Sequence, residues 1–270
     1  MRLGISYSVF DGLELLEHSI KQIRQYVDFI SIIWQEQDWY GKHDINYKGI
    51  DILHDLKKKK LIDDLTLYTP LTFAKTPIDA KYRETEKRNI GKYICEKNGC
   101  DFHMSIDVDE FYMPEQFQKA KQYLIDNNIN YSFCNIQEYY KMPIYRKKEV
   151  SNSYVTFISK IDKELGANNL SLTIDGTRGI ILDRPREIFH IFDKNELVMH
   201  HMSTVRKDLK SKYESSSMAN IDRNNLNKII SNVYDINENN LKFEFLTKSE
   251  TLTAELEVAP NIFNIPLNLF

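Results

Sequence analysis

The sequence predicts an α/β protein with a mainly parallel central sheet flanked by helices. Three observations carry this. Short apolar runs alternate with longer stretches of helical periodicity over residues 2–106. The apolar runs are hydrophobic almost throughout, as strands covered on both faces are. Capping and stop residues fall between them, so the order reads β-α-β-α-β-α-β.

The elements follow in order. RLGISYSVF (2–10) reads as a buried strand. In the segment after it, Leu13, Leu16, Ile20, Ile23 and Val27 recur at helical spacing, and Asp11 is placed to cap that helix. VDFISIIW (27–34) reads as a second strand, followed by the polar loop QEQDWYGKHD. A helix over 47–60 ends in four lysines, which suits the negative end of a helix. DLTLYTP reads as a third strand, and residues 79–99 as a long helix stopped by Asn98-Gly99. DFHMSI then reads as a fourth strand, with Phe102, Met104 and Ile106 alternating.

In the second half, strands are expected at 130–138, 153–160, 178–182 and 196–203, and a polar helical pair over 204–232. Short strands and the tail APNIFNIPLNLF close the chain. With no break in composition, the reading is one domain over 1–215 and a packed C-terminal extension over 216–270.

Of the 270 residues 42% are hydrophobic, with 16 Tyr and 14 Phe, ample for a buried core. The net charge of −3 gives no electrostatic case for nucleic acid as a partner. Cys95, Cys100 and Cys134 form no CxxC pair and read as reduced thiols, hence a cytoplasmic protein. Met1-Arg2 leads straight into a strand, so no leader is expected. No run nears the roughly 18 apolar residues that span a bilayer. Any membrane association is expected to be peripheral, at the inner face. The apolar tail is expected to pack on the domain or on a second subunit of a homodimer.

The most informative stretch is MSIDVDEFYMP (104–114). Asp107, Asp109 and Glu110 crowd the point where the fourth strand ends, and ligands bind outside the carboxyl ends of such strands. Carboxylates packed this closely repel unless a cation joins them. On that reading, removing Asp109 relieves repulsion in the metal-free protein. Hard divalent ions such as Mg²⁺ or Mn²⁺ accept one or two carboxylates together with phosphate oxygens, so the cluster suits a metal that holds a diphosphate.

Four blocks, taken in order, resemble a GT-A-type nucleotide-sugar glycosyltransferase. The likeness is closest to the bacterial family-2-like enzymes of surface polysaccharide synthesis, and it covers roughly residues 2 to 215. The blocks are ISYSVFDGLELLEHSIKQIRQYVDFISII, EKRNIGKYICEKNGCDFHMSIDVDEFY, IDGTRG and MHHMSTVRKDLKSKYESSS. The resemblance implies a Rossmann-like GT-A sheet and a UDP-sugar donor. It implies a glycan or lipid-linked acceptor and a hexosyl or N-acetylhexosaminyl transfer. Asp107 and Asp109 match the DxD pair, with Asp109 the direct ligand of Mn²⁺ or Mg²⁺ and Asp107 nearer the ribose. Tyr7 and Ser8, with Asp11 just beyond, fall where the family holds the nucleotide. Arg88 matches the arginine of its "RN" segment. A late "H-aromatic-small" segment supplies a further metal ligand in many such enzymes. His201-Met202-Ser203 fits it with Met replacing the aromatic, which leaves His200 and His201 both open.

Neighbouring strand residues point to opposite faces, so one histidine is expected in packing and the other at the site. Arg178 and Arg206 are candidate diphosphate contacts, with Lys207 and Lys212 as alternatives. An inverting transfer also needs a carboxylate base, for which Glu138 and Asp175 rank equally and Asp183 follows.

Three other classes fit less well. A haloacid-dehalogenase-type phosphatase carries its DxD on the first strand and continues to Thr. A nucleotidyltransferase carries a glycine-rich basic loop where this chain has SYSVFDG. A silent sugar-nucleotide-binding module would have lost the carboxylates or histidines.

Overall fold

The structure is a computed structural model and describes residues 1–42, 47–166, 172–182, 186–217 and 223–270. The parallel half comprises β1 (Leu3–Val9), α1 (Leu13–Ile23), β2 (Phe29–Trp34), α2 (Tyr47–Lys58), β3 (Asp64–Leu67), α3 (Pro77–Lys97) and β4 (Phe102–Asp107). Next come β5 (Glu110–Phe111), α4 (Pro114–Asp126), β6 (Tyr131–Glu138), β7 (Tyr145–Lys147), β8 (Tyr154–Lys160), β9 (Phe189–Ile191) and β10 (Val198–His201). The chain closes with α5 (Leu209–Ser215), α6 (Leu226–Tyr234), β11 (Lys242–Leu246) and β12 (Thr251–Val258).

The large sheet runs β3-β2-β1-β4-β8-β6-β10-β5, with β9 also on β6. The pairs β1–β2, β2–β3, β1–β4, β6–β9 and β6–β10 are parallel, whereas β8 and β5 enter antiparallel. This is a Rossmann-like GT-A layout, a mixed α/β fold with a mostly parallel sheet between helices. From β1 the chain winds outward to β2 and β3, then returns to place β4 on the other side of β1. The strand order therefore reverses between β1 and β4, and a crevice opens there at their carboxyl ends. Ser8 and Asp107 are register partners at that point.

Helix α3 lies against β1. A Cβ at Gly91 would overlap the Ser6 side chain, so glycine permits this approach. One turn upstream, the same face buries Lys87 and Arg88 against the ends of β1 and β4. Capping by Thr76 and Asp79, with Pro77 in the first turn, starts this helix. Asn98-Gly99 stops it as expected.

Several elements differ from the sequence reading. Asp11 does not cap α1. Gly12 is the N-cap, at φ +70°, and the Asp11 carboxylate turns instead to Arg206. Residues 178–182 form no strand. A 3₁₀ turn at Gly176–Arg178 stands there, held by buried side-chain bonds of Thr177 and Arg178 rather than by a ladder. Helix α5 begins only at Leu209, because residues 202–205 form a turn in which the Met202 N–H donates to the Asp109 carbonyl at 2.7 Å.

The strand pair β11–β12 joins β7 in a second, three-stranded sheet over a cluster that includes Tyr213, Ile229, Val233 and Phe243. In the tail, Phe263 and Ile265 pack with Phe111, Tyr139 and Met202. No described helix is long and apolar enough to cross a membrane.

Candidate active site

A cleft of about 260 Å³ opens at the switch between β1 and β4. Ser8, Asp107, Asp109, His201, Arg206 and Lys212 are among its lining residues. Two networks of opposite charges build it, one below the strand ends and one on the wall made by residues 201–217.

The lower network centres on Arg88, whose side chain is fully buried. Its guanidinium donates to Glu84 at 2.7 Å, Asp107 at 2.9 Å, Ser105 at 3.0 Å and Thr177 at 3.0 Å. Arg178 grips both Glu110 oxygens and lies 2.8 Å from Asp175. The Asp107 backbone N–H donates to Glu110 at 3.0 Å. Arg88 and Arg178 thus brace the strand end instead of facing the cleft. Burial would raise the Asp175 carboxyl, but Arg178 and Arg88 outweigh it and hold the group well below its usual range. Burial raises Glu84, and Arg88 offsets only part of that.

The wall network centres on Asp109. Arg206 bridges Asp11 and Asp109 Oδ2 at 2.5 Å each. Lys212 donates to the same Oδ2 at 2.9 Å and to the Ser203 carbonyl. Burial opposes ionisation of Asp109, yet Lys212 and Arg206 drive its pKa well below 3.8. The Lys212 pKa is itself lowered, because burial and the adjacent Arg206 outweigh Asp109. Both partners shift downward because two cations share one carboxylate oxygen. Among the described residues, Arg206 Nε is also buried without a partner.

The two histidines separate as strand alternation requires. His201 faces the cleft, its Nε2 3.7 Å from Asp109 Oδ1. His200 is buried, hydrogen-bonded through Nδ1 to Tyr139 at 3.0 Å with Phe263 against its ring. Burial pushes its pKa down to about 4. Tyr7 also lies in the core, its hydroxyl 3.0 Å from Ser19 Oγ.

Two sets of atoms bear on a divalent ion. Glu84, Asp107 and Asp175 bring carboxylate oxygens within 4.8 Å of one another, a grouping that could hold a cation. The Arg88 guanidinium already lies among these three, at 2.7, 2.9 and 3.6 Å. Asp109 Oδ1 and His201 Nε2 offer the other set: both residues line the cleft, and the two atoms stand at a spacing that two ligands of one ion can adopt.

Lys87 was not singled out by the sequence. It lines the cleft, donates to the Val9 carbonyl at 2.8 Å and Gln35 at 2.9 Å, and sits over the Trp39 ring. Burial lowers its pKa to about 7. Glu84 and the serines at 215–217 were missed as well. Ser217 donates to Glu84 at 2.8 Å, and Tyr40 to the Ser216 carbonyl at 3.2 Å, so this segment crosses beside the cleft. The available signal was helical spacing, since Glu84, Lys87 and Arg88 share one face of α3. Lys207 is exposed, and Asp183 lies outside the described residues.

A second cavity of about 230 Å³ adjoins the cleft and shares Ser203, Lys212 and Ser216 with it. Glu138 lines this cavity as the register partner of His201, whereas Asp175 lines neither space.

No family model matches the sequence, and neither does any curated protein. Among solved structures the chain is similar to S. aureus TarS 1–349, at 9% identity over 75% of this chain and 60% of that one, with a TM-score of 0.46. The same fragment in complex with UDP-GlcNAc gives 12% identity over 80% of this chain and 64% of that one, with a TM-score of 0.40. CMP:2-keto-3-deoxy-manno-octonic acid synthetase complexed with CTP gives 9% over 60% and 75%, with a TM-score of 0.35. The chain spans less than two thirds of the length of these TarS chains.

Proposed function

We propose that this chain is a metal-dependent glycosyltransferase. It binds a UDP-sugar across the carboxyl ends of β1 and β4 and transfers a hexosyl or N-acetylhexosaminyl group to a glycan or lipid-linked acceptor. Its setting would be bacterial surface polysaccharide synthesis, at the inner face of the membrane. The observation that carries the reading is the charge on the cleft wall. Arg206 and Lys212 converge on one oxygen of Asp109 and Lys87 is buried against neutral acceptors, so three cations stand beside the carboxylates of Asp11, Glu84, Asp107 and Asp109 in one cleft. Such a mixed site suits a diphosphate carried with a divalent ion: the buried cations meet the phosphate oxygens, far more strongly than in water, and the carboxylates meet the ion.

In this arrangement Trp39 and Phe10 offer apolar faces to the base, and Ser8 and Asp107 stand at the ribose. Arg206 and Lys212 hold the diphosphate. A Mn²⁺ or Mg²⁺ ion held by Asp109 Oδ1 and His201 would supply charge that offsets the departing diphosphate. Glu138 is the better of the two base candidates. Asp175 is clamped by two arginines and too weakly basic, whereas the nearest cation to Glu138 among the described residues is Lys147 at 3.5 Å. The acceptor oxygen forms a bond to the sugar's anomeric carbon. The bond from that carbon to the diphosphate oxygen breaks, its electron pair stays on the diphosphate, and the acceptor proton passes to Glu138.

Calorimetric titration of UDP with and without Mn²⁺ tests the reading. Binding that Mn²⁺ strengthens is expected. A protein that binds UDP in neither condition is not a UDP-sugar enzyme, and equal binding in both removes the metal.

A further inference from the structure

We propose that the second cavity, walled by the C-terminal strands β11 and β12, is the acceptor subsite, and that it takes a neutral hexopyranose ring. This deepens the donor reading above and rests on it.

The position is the first argument. The cavity meets the donor cleft at Ser203, Lys212 and Ser216, and Trp39 and Lys87 line only the cleft. A nucleotide with its base at Trp39 and its diphosphate at Lys212 therefore points its sugar toward the second cavity. An acceptor placed there approaches the anomeric carbon from the side away from the leaving group. Glu138 lines the cavity, in position to receive the hydroxyl proton.

The lining is the second argument. Phe245 and Leu252 are register partners on β11 and β12, as are Phe243 and Ala254 two residues along. Cross-strand partners share a face, so the two pairs form one apolar stripe. Phe243 and Ala254 are buried in the cluster beneath, whereas Leu252 remains 48% exposed at the cavity and Phe245 is half-buried. The stripe thus runs past the core it covers and ends on an open cavity. Ser203 and Ser216 add hydroxyl-bearing residues to the rim.

An aromatic floor within a polar rim matches a pyranose, which has an apolar C–H face and an edge of hydroxyls. Of the cavity's charged groups, Lys147 lies 3.5 Å from Glu138 and Lys212 is taken by the donor diphosphate, which favours a neutral ring over an anionic acceptor.

The test is saturation-transfer NMR on the full chain with UDP and the diamagnetic Mg²⁺, using a panel of methyl hexopyranosides. At least one is expected to receive saturation on its ring C–H protons. Phe245→Ala should weaken that sugar about tenfold, the scale of losing one aromatic contact. Phe245→Trp, which keeps an aromatic face, should retain binding, and UDP affinity should not change in either variant. If UDP binds but no hexopyranoside does, the acceptor inference is wrong while the donor reading stands. The same holds if Phe245→Ala binds sugar as tightly as wild type. Loss of both sugar and UDP binding in Phe245→Ala, with Phe245→Trp intact, would assign the residue to folding and also overturn the proposal. If wild type binds no UDP, the donor reading fails and the acceptor subsite falls with it.

Discussion

Replacing Asp109 with asparagine separates two accounts of the carboxylate cluster. The crowding of Asp107, Asp109 and Glu110 in sequence suggests mutual repulsion, so Asp109→Asn should stabilise the metal-free protein. The structure reverses the sign. The Asp109 side chain is 4% exposed and its Oδ2 carries both Arg206 and Lys212. Removing one partner from a buried ion pair costs about 3–5 kcal/mol, because the other charge is left uncompensated. Here Arg206 keeps Asp11 and Lys212 keeps the Ser203 carbonyl. The loss is therefore smaller, about 2–3 kcal/mol, which lowers the melting temperature of a chain this size by roughly 5–10 °C. The assay is thermal unfolding by circular dichroism in chelator, so that no bound metal obscures the comparison. Adding Lys212→Met to Asp109→Asn should restore part of the loss, since it deletes one of the stranded cations. A melting temperature that is unchanged or raised in Asp109→Asn would refute the wall network as the force holding this segment.

Further outcomes follow from other groups. Gly12→Ala should destabilise by about 1–2 kcal/mol, the cost of a left-handed residue with a Cβ. It should also weaken UDP binding, because that Cβ would lie 2.8 Å from Val108 and 3.0 Å from the Arg206 guanidinium; calorimetry on the variant checks both effects. His103 is buried beside Ser6, and burial drops its pKa from 6.5 to about 3. The unfolded chain then binds the extra proton more readily. The contribution of His103 is complete above pH 6.5 and is lost as pH falls toward 3, at up to about 1.4 kcal/mol per pH unit. His103→Gln should flatten that slope in urea melts between pH 6.5 and 4. Lys87, at about 7, loses its charge as pH rises through neutrality. Metal-free UDP affinity should therefore decline from pH 6 to 8, by less than about tenfold per unit, and Lys87→Met should abolish the dependence. A variant that keeps the full slope would remove Lys87 from the nucleotide site.

Much of the fold was legible because its signals are local. Apolar runs between helical stretches marked β1 to β4, Asn98-Gly99 marked the end of α3, and the two-residue alternation of strands separated His200 from His201. The placement of Asp107 at a strand end followed from the same pattern. What tertiary structure alone decided is which charges meet. Arg206 and Lys212 reach Asp109 across 97 and 103 residues, and Arg178 reaches Glu110 across 68. A cluster that is self-repelling along the chain is thus neutralised in space. Asp11 looked like a cap because its neighbours are helical, but a buried guanidinium competes for a carboxylate more strongly than backbone N–H groups at an open helix end do. Lys87 was hidden for the opposite reason: a lysine in a helix reads as solvated until the close approach at Gly91 buries it. Nothing in Phe245 or Leu252 announces a cavity either. Their role depends on β12 pairing with β7, a strand about a hundred residues earlier, and that pairing exists only in the folded chain.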